Sequence, residues 1–229
     1  MTGFARRLWH FLPQSFRTSL VRVYIRFFLR LHALIDTVLD FKYGVRTSAI
    51  LAYDKNKQAE AGLANADPFS YIPSPYLPLF RIVSRFKPSR TDVVFDLGCG
   101  RGRSLFVFAN SGVTKVVGIE FEKSLYGSLE ENLRSFRGRR NIEIVNDDVL
   151  NCDMDEATVV YMFNPFGGDT MRDLTGRLED SLKRKPRKLS IIYWRPLFLD
   201  ELKGLSGFRI VTQFTQRNHA VVFAEAGQT

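Results

Sequence analysis

Cysteine is nearly missing from this chain: there are two, Cys99 and Cys152, and neither stands in a CxxC pair or a Cys/His cluster with metal-ligand spacing. That excludes a disulfide framework and a structural zinc site, and implies a reducing compartment with both thiols as small buried side chains. Histidine is nearly as scarce, and His10, His32 and His219 all fall outside the motifs described below, so each reads as structural or solvated. Long apolar runs free of charge are lacking too. The most apolar stretch, Phe16 to Phe41, carries Arg17, Arg22, Arg26 and Arg30. Arginine is costly at mid-bilayer, which excludes a membrane span, and the missing small-residue cleavage pattern excludes a secretory signal. Internal repeats and low-complexity tracts are also absent.

What is present is an ordinary mixture of apolar and charged residues over 229 positions, enough for one α/β domain and an appendage. The net charge of +9 is unevenly placed: residues 1 to 50 hold eight basic residues against Asp36 and Asp40, so +6 of it lies there. Arg22, Arg26 and Arg30 recur every four residues and line one stripe of a helix. Leu20, Val23, Tyr24, Phe27, Phe28, Leu31, Leu34 and Ile35 cover much of the rest. Such a basic amphipathic helix either packs on a neighbouring domain or, over residues 14–40, lies on an anionic membrane or meets an acidic partner. The expected division is a basic amphipathic helical extension over 1–66 and a Rossmann-like α/β domain over 67–229. The compartment expected is the cytoplasm, with the inner membrane face as a peripheral site.

From Thr91 short β-branched runs alternate with longer amphipathic segments, the pattern of a parallel sheet with crossover helices. Strands are expected at Asp92 to Phe95, Lys115 to Ile119, Ile142 to Val145, Thr158 to Phe163 and Leu189 to Tyr193. Helices are expected at Leu77 to Phe86, Gly102 to Asn110, Glu122 to Phe136 and Thr170 to Leu182. Phe208 to Phe214 and Ala220 to Ala224, around the polar turn Gln216, Arg217, Asn218, read as a closing antiparallel hairpin. The fold class is α/β, doubly wound, with a mostly parallel seven-stranded sheet.

The first strand runs VVFDLGCGRGRS into a helix. Gly98, Gly100 and Gly102 permit a tight turn and close approach of a ligand, and a helix N-terminus adds unpaired amides. Arg103 stands where the last glycine of GxGxxG would be, so the dinucleotide pattern is not met. An acid at Asp96 suits a cationic amino-acid moiety and would repel a pyrophosphate. Glu120 follows Gly102 by 18 residues, a spacing at which an acid accepts ribose hydroxyls. A solvated strand end is its alternative.

The loop, the acids and the terminal hairpin together resemble the class I, seven-stranded S-adenosylmethionine-dependent methyltransferases, over about Tyr71 to Glu225. The resemblance implies S-adenosyl-L-methionine as cofactor, bound by Asp96, Gly98, Gly100, Gly102 and Glu120. In VNDDVLNC it implies that Asp148, followed by Val149, meets the adenine amino group, with Asp147 as fallback; an ordinary Asp turn is the alternative. In VVYMFNPFGGD, Asn164, Pro165 and Phe166 resemble the (N/D)PP(Y/F) motif of amino-methyltransferases with one proline missing, or else form a turn. Upstream, YIPSPY with Tyr71, Pro73 and Tyr76 is similar to the segment that precedes the glycine loop in bacterial relatives of the silencing-type histone lysine methyltransferases.

The function implied is transfer of a methyl group to nitrogen, a protein lysine included, or to oxygen. Asn164, also placed against the cofactor, orients the acceptor, which is a protein, lipid or small molecule; Pro165 belongs to the same turn, and Tyr71 and Phe166 wall the site. A second reading is a non-catalytic S-adenosylmethionine-binding module tethered by its N-terminal helix; a third, a nucleotide-dependent oxidoreductase, is disfavoured by Asp96 and the unmet GxGxxG. The clusters Arg134, Arg137, Arg139, Arg140 and Lys183, Arg184, Lys185, Arg187, Lys188 fall at helix C-termini and read as solvated ends; lacking interleaved aromatics, they do not favour nucleic acid.

Overall fold

The computed structural model describes residues 30–48, 72–216 and 219–227. Expectations for Tyr71, for the helix before residue 30, for residues 49–70 and for the turn residues Arg217 and Asn218 lie outside them.

A helix over residues 30–43 (α1) leads to α2, Tyr76–Phe86. Then follow β1 Val93–Leu97, α3 Arg103–Ala109, β2 Lys115–Ile119, α4 Lys123–Ser135, β3 Ile142–Val145, β4 Val159–Phe163, α5 Gly168–Arg184, β5 Leu189–Trp194, β6 Arg209–Gln216 and β7 His219–Ala226. Short 3-10 turns occupy Val149–Asn151 and Leu199–Gly204.

One seven-stranded sheet has the order β3-β2-β1-β4-β5-β7-β6. The first five strands are parallel and the last two antiparallel, as expected for the closing hairpin. β1, β2, β4 and β5 are apolar on both faces because helices cover both. One face carries α2 and the fully buried α3, the other α5. Gly118 in β2 makes room for α3: a Cβ there would meet the Cys99 sulfur at 2.9 Å, and the Leu105 methyl still closer.

Strand ends differ from expectation where the backbone, not hydrophobicity, decides. β1 continues through Asp96 to Leu97, because the chain turns only at Gly98 (φ 77°). β5 reaches Trp194 because Arg195 takes the left-handed conformation (φ 55°). One basic residue departs from the solvated-end expectation. Arg187 is half-buried and donates to the carbonyls of Ala157 (2.6 Å), Met154 (2.8 Å) and Lys185 (2.9 Å), closing the start of β4 onto α5. Burial lowers its pKa, the charged form being held by carbonyls in place of water.

Candidate active site

The register sets Asp96 beside Gly118 and Tyr161, so the carboxyl ends of β1, β2 and β4 meet at one edge. There the glycine loop turns back on itself: the amides of Gly98 and Cys99 both donate to the Ile119 carbonyl at 3.0 Å. Gly98, Gly100 and Gly102 all have positive φ. At Gly98 space is as strict as conformation, since a Cβ would lie 2.7 Å from the Pro165 Cβ. The Asn-Pro turn after β4 is therefore seated directly on the loop.

Asp96 is buried and accepts a hydrogen bond from the Ser104 hydroxyl at the start of α3. Burial pushes its pKa up to about 7; the Ser104 bond opposes this and the Glu120 charge adds to it. Glu120 is also buried, and burial raises its pKa, against the amides it accepts. It takes Gly100 N on one oxygen (2.7 Å) and Glu122 N on the other (2.9 Å). The Phe121 amide also favours the charged form, and the carboxylate, with about four lone-pair sites, keeps acceptor capacity beyond these three amides. A buried acid without an ion pair among the described residues, beside a second acid with acceptor capacity left, fits a ligand that carries both an ammonium and ribose hydroxyls.

Asp148 and Asp147 sit where expected after β3, and both are engaged in the turn. Asp148 caps the 3-10 turn through Leu150 N (2.9 Å), while Asp147 takes Asp148 N (2.7 Å) and the Asn151 amide (3.0 Å). Val149 is buried beside them. Asn164 is buried with φ 44°, a conformation Asn tolerates, and its Oδ1 makes a long 3.5 Å contact with the Tyr193 hydroxyl. Phe166 packs on the core under α5.

Two features escaped the sequence reading. The first is an aromatic stack: Phe163, next to Asn164, stacks on Trp194 at 4.4 Å between ring centres, and the buried Trp194 Nε1 has no hydrogen-bond partner among the described residues. Pairing of Phe163 with Trp194 across β4 and β5 brings them together, which no local motif displays. The second is Arg103. Its side chain, 2% exposed, donates to Thr47 Oγ1 (2.7 Å), Asp36 (2.9 Å) and Ser48 Oγ (2.9 Å), and lies over the Tyr76 ring. Removing one partner from a buried pair of this kind typically costs about 3–5 kcal/mol, the stranded charge being the larger part. A signal existed in the sequence: the only acids among residues 1 to 50, Asp36 and Asp40, are four apart and so share a helix face.

Comparison with known proteins agrees with this fold. A family model described as a methyltransferase domain matches residues 94–184. A protein-lysine N-methyltransferase of Saccharolobus islandicus is 33% identical over 131 residues, covering 55% of this chain and 80% of that protein. The H3 lysine-79-specific histone-lysine N-methyltransferase of Dictyostelium discoideum is 34% identical over 87 residues, 32% of this chain and 5% of that much longer protein. Among solved structures, an RNA methyltransferase of Salinibacter ruber in complex with S-adenosyl-L-homocysteine shares the fold, with TM-score 0.54, 19% identity, 69% of this chain and 95% of that one covered. The chain belongs to the class I S-adenosylmethionine-dependent methyltransferases. S-adenosylmethionine is its cofactor.

Proposed function

We propose that this enzyme methylates the side-chain amine of lysine in a protein. In this reading Asp96, Gly98, Gly100, Gly102 and Glu120 hold the cofactor, Asp148 and Val149 meet its base, and Asn164, Pro165 and Phe166 present the acceptor. The observation that supports it is the seat of Pro165 on Gly98, which sets the turn of Asn164, Pro165 and Phe166 against the glycine loop. The cofactor, when bound, supplies a methyl group already activated on a sulfonium. The chain has to align the nucleophile and exclude water. The Asn164 amide oxygen and the Pro165 carbonyl accept hydrogen bonds from the acceptor nitrogen, which reacts as the neutral amine once its ammonium proton has passed to solvent, and the half-buried Phe163 ring, backed by the buried Trp194, borders the same turn. The lysine-methylating relative supports a protein acceptor.

The test is incubation with S-adenosylmethionine carrying a labelled methyl group and a cell extract, followed by acid hydrolysis of the protein fraction. Label eluting as ε-N-methyllysine is the expected result. Label confined to lipid or small molecules overturns the acceptor, and binding without transfer favours the non-catalytic module.

We further propose that the enzyme works at an anionic membrane surface through α1. Among the described residues no helix is long and apolar enough to cross a membrane. α1 instead turns its two acids inward, where Asp36 meets Arg103 and Asp40 is buried, and turns Leu34 (60% exposed), Val38 (56%) and Phe41 (77%) outward. Arg30 and Lys42 are exposed as well. An apolar stripe with basic residues and no free acid fits anionic lipid. The full chain is expected to sediment with phosphatidylglycerol vesicles and not with phosphatidylcholine. Leu34→Glu, Val38→Glu and Phe41→Glu together should reduce that binding at least about 100-fold, from the loss of three apolar contacts and the addition of like charge. Undiminished sedimentation of the triple variant would refute it.

A further inference from the structure

Arg103 does more than fill a buried site, because its partners come from two segments distant in sequence. It follows Gly102 directly, so anything that fixes Arg103 fixes the end of the glycine loop. On one side it holds Asp36 in α1 and Thr47 and Ser48 beyond it; on the other it holds the Ser74 carbonyl (3.3 Å) and the face of Tyr76.

The two segments are tied to each other as well. Tyr76 donates its amide to Asp36 (3.0 Å) and its hydroxyl to Asp40 (2.9 Å). Asp40 takes the amides and hydroxyls of both Thr47 and Ser48, at 2.6 to 2.9 Å. Two carboxylates against one guanidinium would leave a buried excess of negative charge; those donors are what make it tolerable.

A second strap crosses the other flank of the loop. Asn132 of α4 accepts from Arg46 N (2.7 Å) and donates to the Arg101 carbonyl (3.1 Å). Residues 46–48 thus bridge Arg101 and Arg103, the two positions on either side of Gly102. The helix over 30–43 and the strap after it lie against the cofactor loop, although the sequence division at residue 66 assigns them to an extension.

We propose that Arg103 is a positioning residue for the cofactor: it clamps residues 30–48 and Ser74 onto the glycine loop, so that docking of the N-terminal segment and binding of S-adenosylmethionine strengthen each other. This rests on the reading that the loop holds the cofactor. Arg103 touches neither cofactor nor acceptor in this account; it acts through Gly102 and through Ser104, the neighbour that hydrogen-bonds Asp96. Coupling of this kind is reciprocal, so the segment must also become better protected when the cofactor site is filled.

Arg103→Lys keeps the charge and loses the fork that reaches Thr47, Asp36 and Ser48 at once. In the full chain it is expected to weaken calorimetric binding of S-adenosylmethionine about tenfold or more, the equivalent of one charged hydrogen bond. The far-UV spectrum should stay native.

The readout that a merely structural role would not move is hydrogen exchange at the Thr47 and Ser48 amides. In the native protein S-adenosylhomocysteine should slow that exchange, and in Arg103→Lys, at saturating ligand, the slowing should be lost. If Arg103→Lys does not fold, Asp36→Asn, at the solvent rim of the network, carries both measurements. Unchanged affinity, or exchange at Thr47 and Ser48 indifferent to ligand in the native protein, overturns the proposal. Asp96→Asn separates the two readings: if it too binds normally, the loop assignment is at fault, and if it alone loses binding, only the clamp is.

Discussion

Alanine at Asp96 or at Glu120 is expected to weaken S-adenosylmethionine binding at least about 100-fold while the sheet stays folded, since each removes a buried charged acceptor that the ligand needs. The two acids act alike on the unliganded protein, because burial raises the pKa of both. Asp96 is raised to about 7, chiefly by burial, whereas an unfolded aspartate titrates near 3.8. Between those values the native state binds more protons than the unfolded one, so the contribution of Asp96 to stability falls as pH rises through that window. Glu120 is raised too, again by burial, and works in the same direction.

Ligand binding reverses the preference, because a cationic ammonium favours ionised Asp96. Affinity should therefore climb with pH up to about 7 and level off above it, with proton release on binding below it. Asp96→Asn should raise the melting temperature of the unliganded protein at pH 8 and abolish the ligand-induced rise. Calorimetry in buffers of different ionisation enthalpy and thermal melts across pH 5 to 8 measure both. Affinity flat across that range would contradict the role given to Asp96.

Asn164→Ala should leave cofactor affinity within about threefold and reduce turnover by about 100- to 1000-fold, the scale of a lost orienting contact in a near-attack geometry. The side chain is buried and makes one long contact, to Tyr193, so its removal leaves a small void and no stranded charge. Its backbone matters separately. The left-handed φ at Asn164 carries Pro165 onto Gly98, and Ala accepts that conformation less readily than Asn does. Asn164→Gly relieves the backbone and removes the same amide. Loss of turnover in both variants assigns the effect to the side chain, and recovery in the glycine variant would assign it to the turn.

The parallel core was legible because its signals are local. Lys115–Ile119 and Ile142–Val145 coincide with their expected bounds, being β-branched runs closed off by polar residues. The positions of the glycine loop and of Asp96 were legible for the same reason, since they lie along one strand-turn-helix unit, and Glu120 follows at the end of the next parallel strand. What was hidden depends on register or on long-range pairing. Trp194 meets Phe163 only because β4 and β5 pair with that offset, and Asp36 meets Arg103 across 67 positions. The basic N-terminal helix looked alike as a membrane element or a packed one, because its periodicity serves both. The structure resolves α1 into a domain-facing side set by Asp36 and Asp40 and an outward side set by Leu34, Val38 and Phe41.

The most direct measurement is calorimetric titration of the full chain with S-adenosylmethionine, run beside NADH and repeated with Asp96→Ala and Glu120→Ala. Saturable binding of S-adenosylmethionine alone, lost in both variants, is the predicted result. Binding that survives both substitutions would contradict the site at its centre.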